Sequence, residues 1–124
     1  MPFLPRSDPD QFYQGAPLLE VPDVASSADF YRTKLGFRTD PGTASPEYAV
    51  VWRENAAVHL TKGGTRPAGV RIFFWVKDVD ALHAEFLGRE VPIDVPLETR
   101  SYGIRDFSVR DHDGVVLIFG QDID

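Results

Sequence analysis

The chain has no cysteine. Disulfides, thiolate nucleophiles and cysteine-based zinc sites are therefore excluded. The absence suits a reducing compartment, and a cytoplasmic location is expected. Long hydrophobic runs are missing as well. Uncharged apolar stretches such as Ile72 to Val76 are about five residues long, far short of the roughly 20 residues of a membrane-spanning helix. The N-terminal segment shows no basic stretch followed by an apolar one, so no secretory leader is expected. Basic residues are outnumbered, 13 Lys and Arg against 19 Asp and Glu, for a formal net charge of −6. A phosphate backbone demands a clustered basic surface. Neither nucleic acid nor a membrane is an expected partner. The charge suits a cationic ligand, and it also serves plain solubility.

What is present is an ordinary globular composition, 43% hydrophobic and 26% charged over 124 residues. A single domain of this size buries about two-thirds of its surface on folding, so no staple is needed. Residues 1–14, with Pro2, Pro5 and Pro9, read as an extended arm. Ala16 to Val21 reads as a strand. Asp23 can cap a helix with apolar positions Val24, Ala28, Phe30, Tyr31 and Leu35, which Gly36 ends. Phe37 to Asp40 is a short strand candidate, and residues 41–46 a loop. Tyr48 to Arg53 and Ala57 to Lys62 form a hairpin around Glu54 and Asn55. Gly63, Gly64, Pro67 and Gly69 make a linker over residues 63–69.

The second half repeats this order. Val70 to Val76 is a strand. A helix follows Asp78, with Val79, Leu82, Phe86 and Leu87 on one face and Gly88 closing it. Val91 to Val95, Tyr102 to Arg110 and Val115 to Gly120 are strand candidates, and residues 111–114 (Asp-His-Asp-Gly) form a turn rather than a metal cluster. Val21-Pro22-Asp23-Val24 returns as Val76-Lys77-Asp78-Val79 at an offset of 55 residues (76 − 21). The chain is thus two βαβββ modules, residues 15–62 and 70–120, expected to share one α+β structure. A unit this small cannot bury its sheet alone.

Strand parity separates two faces. Ile72, Phe74 and Val76 should face the helices, leaving Arg71, Phe73 and Trp75 on the other side. By the same alternation His59, Thr61, Leu18, Glu20 and Ile118 face away from the helices. If the sheet curves, these residues line one concave, mostly apolar surface of the kind that holds small molecules. The same residues would serve equally as a second core or a dimer face. Arg71 in such a setting needs a partner; Glu20 is the expected one, because the first strands of the two modules should be neighbours. Without that pairing Arg71 is free for an anionic ligand group. His83 and His112 are expected to face solvent.

The segments Leu19 to Phe37 (LEVPDVASSADFYRTKLGF) and Tyr102 to Gly114 (YGIRDFSVRDHDG) resemble the opening module and closing hairpin of the glyoxalase, bleomycin resistance protein and extradiol dioxygenase superfamily. The resemblance covers about Ala16 to Gly120. It implies a curved, incompletely closed mixed sheet around a cleft, with the helices outside, and a homodimer. Metal-dependent members draw His, Glu or Gln ligands from four strand positions, which fall here on Ala16, His59, Arg71 and Ile118. Only His59 has a donor atom suited to a metal, and catalytic sites need about three protein ligands. No metal and no other cofactor are therefore expected.

The resemblance is greatest to bleomycin resistance proteins, which sequester an antibiotic in a dimer cleft lined by aromatic and acidic groups. It implies a small-molecule ligand, a bleomycin-type antibiotic or another aromatic compound, and no catalytic residue. Tyr48, His59, Thr61, Arg71, Phe73, Trp75, Tyr102 and Glu20 are the ligand-binding candidates. Tyr48 and Tyr102 fall at or near positions where aromatics contact ligand in such proteins. The stretch 98–106, with Glu98, Arg100 and Arg105, is less acidic than a polycationic drug requires. The alternative is a glyoxalase-like lyase or isomerase, or a dioxygenase-fold enzyme, either metal-dependent or using His59 as a general base. A dimeric interaction module is the third reading.

Overall fold

The computed structural model describes residues 11–39 and 45–123. Most of the N-terminal arm and of the 41–46 loop lies outside these residues, as does Asp40. Eight strands and two helices follow the order β1 (Leu18–Val21), α1 (Val24–Leu35), β2 (Arg38–Thr39), β3 (Tyr48–Arg53), β4 (Ala56–Lys62), β5 (Arg71–Trp75), α2 (Val79–Gly88), β6 (Val95–Thr99), β7 (Ile104–Arg110) and β8 (Val116–Asp122). The α+β architecture and the doubled βαβββ order agree with the sequence. The strands form two four-stranded sheets, β1-β4-β3-β2 and β5-β8-β7-β6. In each, the first strand runs parallel to the last, and the remaining neighbours are antiparallel. Leu18 lies opposite His59 in the first sheet, as Phe73 lies opposite Ile118 in the second.

α1 begins where the Asp23 side chain accepts a hydrogen bond from the Ser26 amide, and it ends at Gly36, whose φ of 74° is left-handed. Val24, Ser27, Ala28, Tyr31 and Leu35 are its buried residues, a stripe of helical period. Ser27 sits in that stripe because its hydroxyl donates to Asp113 across the molecule. α2 departs from expectation at its C-terminal end. Gly88 is its last helical residue, the cap is Arg89, and the left-handed position falls on Glu90 at φ 60°. Leu87 is exposed rather than on the packed face, because it lies about 100° around the helix from Phe86. His83 is half-buried, edge-on to Phe107 at 5.0 Å between ring centroids, so it does not simply face solvent.

The strand expected at Val91 to Val95 begins only at Val95 and continues through Pro96 to Thr99. β6 is the edge of its sheet, and its pairing slips between Val95 and Glu98. An edge strand with a bulge tolerates the loss of the N–H donor that proline lacks. β7 starts at Ile104 instead of Tyr102, since residues 101–103 form the turn between β6 and β7.

One continuous core joins the modules, running from Leu19, Val24 and Tyr31 to Phe86, Phe107 and Phe119. Phe74 stacks on Phe119 at 5.4 Å and meets Phe37 of the first module edge-on at 6.3 Å. Polar bonds close the same boundary. Arg53 donates to Glu85 of α2 and to the Leu35 carbonyl of α1. The 111–114 turn is present, with Gly114 at φ 87°. Its two carboxylates are buried, however, and both reach α1. Tyr31 Oη donates to Asp111 Oδ2 at 2.6 Å, and Asp111 Oδ1 accepts from the amides of Asp113 and Val115. Burial pushes the Asp111 carboxyl above the usual aspartate value. Burial, and then the neighbouring Asp111 charge, pushes the Tyr31 hydroxyl well above tyrosine's usual value.

Candidate functional site

Each sheet keeps one face for the core and turns the other outward. On the first sheet the outward row includes Leu18 and Glu20 of β1, His59 and Thr61 of β4, and Tyr48, Val50 and Trp52 of β3, set side by side by the strand register. Tyr48 and His59 are joined by a hydrogen bond between Oη and Nδ1. Thr61 Oγ1 donates to the Glu47 carbonyl at 3.4 Å. Arg38 lies over the Trp52 ring, 5.6 Å from its centroid.

On the second sheet the outward face is hollow. Arg71, Phe73, Val95, Arg100, Tyr102, Asp106, Phe107, Ser108 and Ile118 line an open cavity of about 630 Å³. Phe73 lies over Gly120: a Cβ built on Gly120 would come within 2.4 Å of Phe73 Cζ. The absence of a side chain there is what lets the ring settle against the sheet. Trp75 follows on the same strand, its ring 4.6 Å from that of Phe73. Both rings remain exposed, by 39% for Phe73 and 40% for Trp75. Tyr102 projects from the β6–β7 turn, whose closure places Gly103 at φ 86°.

The structure brings Arg71, Phe73 and Tyr102 to one cavity and Tyr48, His59 and Thr61 to one sheet face. It does not bring the two groups together within a chain, because they belong to different sheets. Glu20 borders a smaller cavity of about 220 Å³ with Leu18, Arg66 and Val70. The expected Arg71–Glu20 ion pair is not formed. β1 pairs with β4 and β5 with β8, so the first strands of the modules are not sheet neighbours. Arg71 has no ion pair or hydrogen-bond partner among the described residues.

In the sequence Arg100 stands out only as one charge of the 98–106 stretch, and Asp106 and Ser108 were not singled out. Parity could have found the last two, since they alternate with Phe107 and Val109, which face the core. Arg100 Nε donates to Asp106 Oδ1 at 2.8 Å, its Nη2 reaches the Pro96 carbonyl, and its Nη1 reaches Glu98. The hydrogen bond to Asp106 raises the Arg100 pKa. Arg105 points the other way, to Asp80 of α2 at 2.9 Å. That bond holds the Asp80 carboxyl below its usual value.

The strand positions that hold a metal in parts of the resembled superfamily carry Ala16, His59, Arg71 and Ile118. One imidazole, itself bound to a phenol, and a fixed guanidinium do not suit a divalent ion. Among the described residues no group of three or more His, Asp or Glu side chains could hold one. No helix among them is long and apolar enough to cross a membrane.

Residues 15–119 match the family model of the Glyoxalase/Bleomycin resistance protein/Dioxygenase superfamily. No curated protein sequence matches the chain. Among solved structures, the bleomycin-binding protein from bleomycin-producing Streptomyces verticillus, complexed with copper(II)-bleomycin, is 28% identical with a TM-score of 0.75, covering 88% of this chain and 95% of that one. A glyoxalase/bleomycin resistance protein/dioxygenase from Alicyclobacillus acidocaldarius is 19% identical at a TM-score of 0.77, covering 90% and 92%. TioX from Micromonospora sp. ML1 is 23% identical at 0.71, covering 87% and 94%. At those identities the last two show the fold alone.

Proposed function

The chain belongs to the Glyoxalase/Bleomycin resistance protein/Dioxygenase superfamily, and from that premise we propose that it is a metal-free cytoplasmic protein that sequesters a small molecule bearing a flat ring. The observation that carries this reading is the open cavity of the second sheet, floored by Phe73 and rimmed by Tyr102. Exposed aromatic side chains around a concavity are more often ligand contacts than scattered surface rings are. Stacking on each ring contributes about 0.5–1.5 kcal/mol beyond area burial.

The cleft is completed by a second copy of the chain. The first sheet of one protomer covers the second sheet of its partner, so that Tyr48, His59 and Thr61 oppose Arg71, Phe73, Trp75 and Tyr102, while Glu20 stays at its own smaller cavity beside Arg66. Two uncovered faces support this arrangement, with Leu18 60% exposed on one and Tyr102 59% exposed on the other. The neighbour complexed with copper(II)-bleomycin supports a bleomycin-type antibiotic as the first ligand to try.

Calorimetric titration with copper(II)-bleomycin, alongside sedimentation velocity, tests both parts. A dimer and a saturable heat with whole-number stoichiometry are expected. No heat at millimolar drug removes the bleomycin assignment, and a monomer removes the shared cleft. An enzymatic reading draws on one observation, the Tyr48–His59 hydrogen bond, which fixes an imidazole on an open face. A lyase or isomerase activity lost in His59→Ala, or one divalent ion tightly held per chain after reconstitution, would establish that reading instead.

A further inference from the structure

We infer that the cavity of the second sheet selects an aromatic ligand carrying an anionic group, such as a carboxylate, with Arg71 as the residue that binds it. This rests on the reading of the cavity as a site for a ligand with a flat ring, and it narrows that reading: a cavity that selects an anion disfavours a polycationic drug of the bleomycin type. The guanidinium groups on this face are not equivalent. Arg100 is taken by Asp106 at 2.8 Å and by Glu98. Arg110 is taken by Asp94 at 3.2 Å. Arg71 alone has no carboxylate among the described residues, and the acids of the face are already engaged elsewhere.

Arg71 also stands two residues from Phe73 on the same side of β5, so a ring lying on Phe73 has its substituents within reach of a guanidinium. The fork of that group matches a planar carboxylate through two parallel hydrogen bonds. The cavity lining carries two guanidinium groups, Arg71 and Arg100, against one carboxylate, Asp106. In a chain of net charge −6 this is a local reversal of sign. The overall charge favours a cation; the cavity does not.

Three probes that share one ring system test the inference: 2-naphthoate, 2-naphthamide and 2-naphthylmethylammonium, titrated against the full chain by calorimetry with ligand-observed NMR. Naphthoate should bind about tenfold more tightly than the amide, as one charge-assisted pair implies, and the ammonium should bind least. The preference should shrink as salt is raised. Arg71→Gln should equalise acid and amide while the amide's own affinity stays, and Arg71→Lys should restore part of the preference. Arg105→Gln removes the same charge from the opposite face and should leave the preference intact. Equal binding of all three probes, or a preference that survives in Arg71→Gln, overturns the assignment of Arg71 but leaves the ring-binding reading standing. If none of the three binds, the assignment of Arg71 fails, and the copper(II)-bleomycin titration decides the ligand-site reading separately.

Discussion

At Gly120 a single hydrogen atom in place of a side chain determines where an aromatic ring can lie. The Phe73 ring occupies the space a Cβ would need, at 2.4 Å, with Ile104 Cγ2 a further 3.2 Å neighbour. Gly120→Ala should therefore expel the ring from the cavity floor instead of merely crowding it. Phe73 Cζ is the far end of a partly exposed ring that can swing aside, so the fold itself loses little. A thermal melt should show only a small shift, while titration with an aromatic ligand should show weakened binding. Unchanged binding in a folded variant would mean that the floor of the cavity is not where the ligand rests. Gly120 ends the last expected strand, and nothing in the sequence marks it, because close approach depends on a residue 47 positions away (120 − 73).

Among the elements, the β6–β7 turn carries most of the consequence for the site. It joins an edge strand to a central one, and it holds Tyr102 at the rim through a left-handed Gly103 at φ 86°. Two backbone bonds close it, from Arg100 N to the Ile104 carbonyl at 2.7 Å and from Gly103 N to the Arg100 carbonyl at 3.2 Å. Arg100 is thus fixed by both its main chain and its side chain. Gly103→Ala forces an L-residue into that region, at about 1–3 kcal/mol. Urea denaturation should report the loss with an unchanged slope, and the Tyr102 contribution to ligand binding should fall with it. The helices were more legible than this turn. Asp23 and Gly36 bracket α1 as read from the sequence, because capping chemistry is local. Gly88 misled the reading of α2: a glycine near a helix end need not take the left-handed position, and Glu90 takes it here.

For the molecule as a whole, the Asp111–Asp113 turn acts as the clamp between modules. It binds Ser27 and Tyr31 of α1 and pairs with Arg66 of the linker at 3.4 Å. Tyr31→Phe leaves Asp111 buried with one acceptor unanswered, at a cost of about 1–3 kcal/mol. The pH dependence has a definite sign. Tyr31 titrates in the folded protein well above its ordinary 10.0. Its contribution is therefore fully present below pH 10.0, and it is lost as pH rises from there through the folded value. The stability gap between wild type and Tyr31→Phe should stay constant between about pH 7 and pH 10, then narrow on further alkalisation. Equilibrium unfolding across that range is the measurement, and a gap that widens above pH 10 contradicts the clamp. Glu85, held below its usual value first by the Arg53 hydrogen bond, acts at the acid end. Its share is present above the ordinary glutamate value and lost as pH falls through the lowered one.

The order of strands, the doubling, the caps of α1 and the side of β5 that faces away from the helices were all determined by the sequence alone. Each depends on spacing within a few residues, or on a repeat that the chain displays twice. Only the tertiary structure decided that the two outward faces belong to separate sheets and that Arg71 and Glu20 do not meet. It also decided that a two-aspartate turn is a buried clamp and that the hollow lies on the second sheet. These depend on which surfaces far apart in sequence come into contact, and alternation along a strand specifies a face without specifying what stands opposite it.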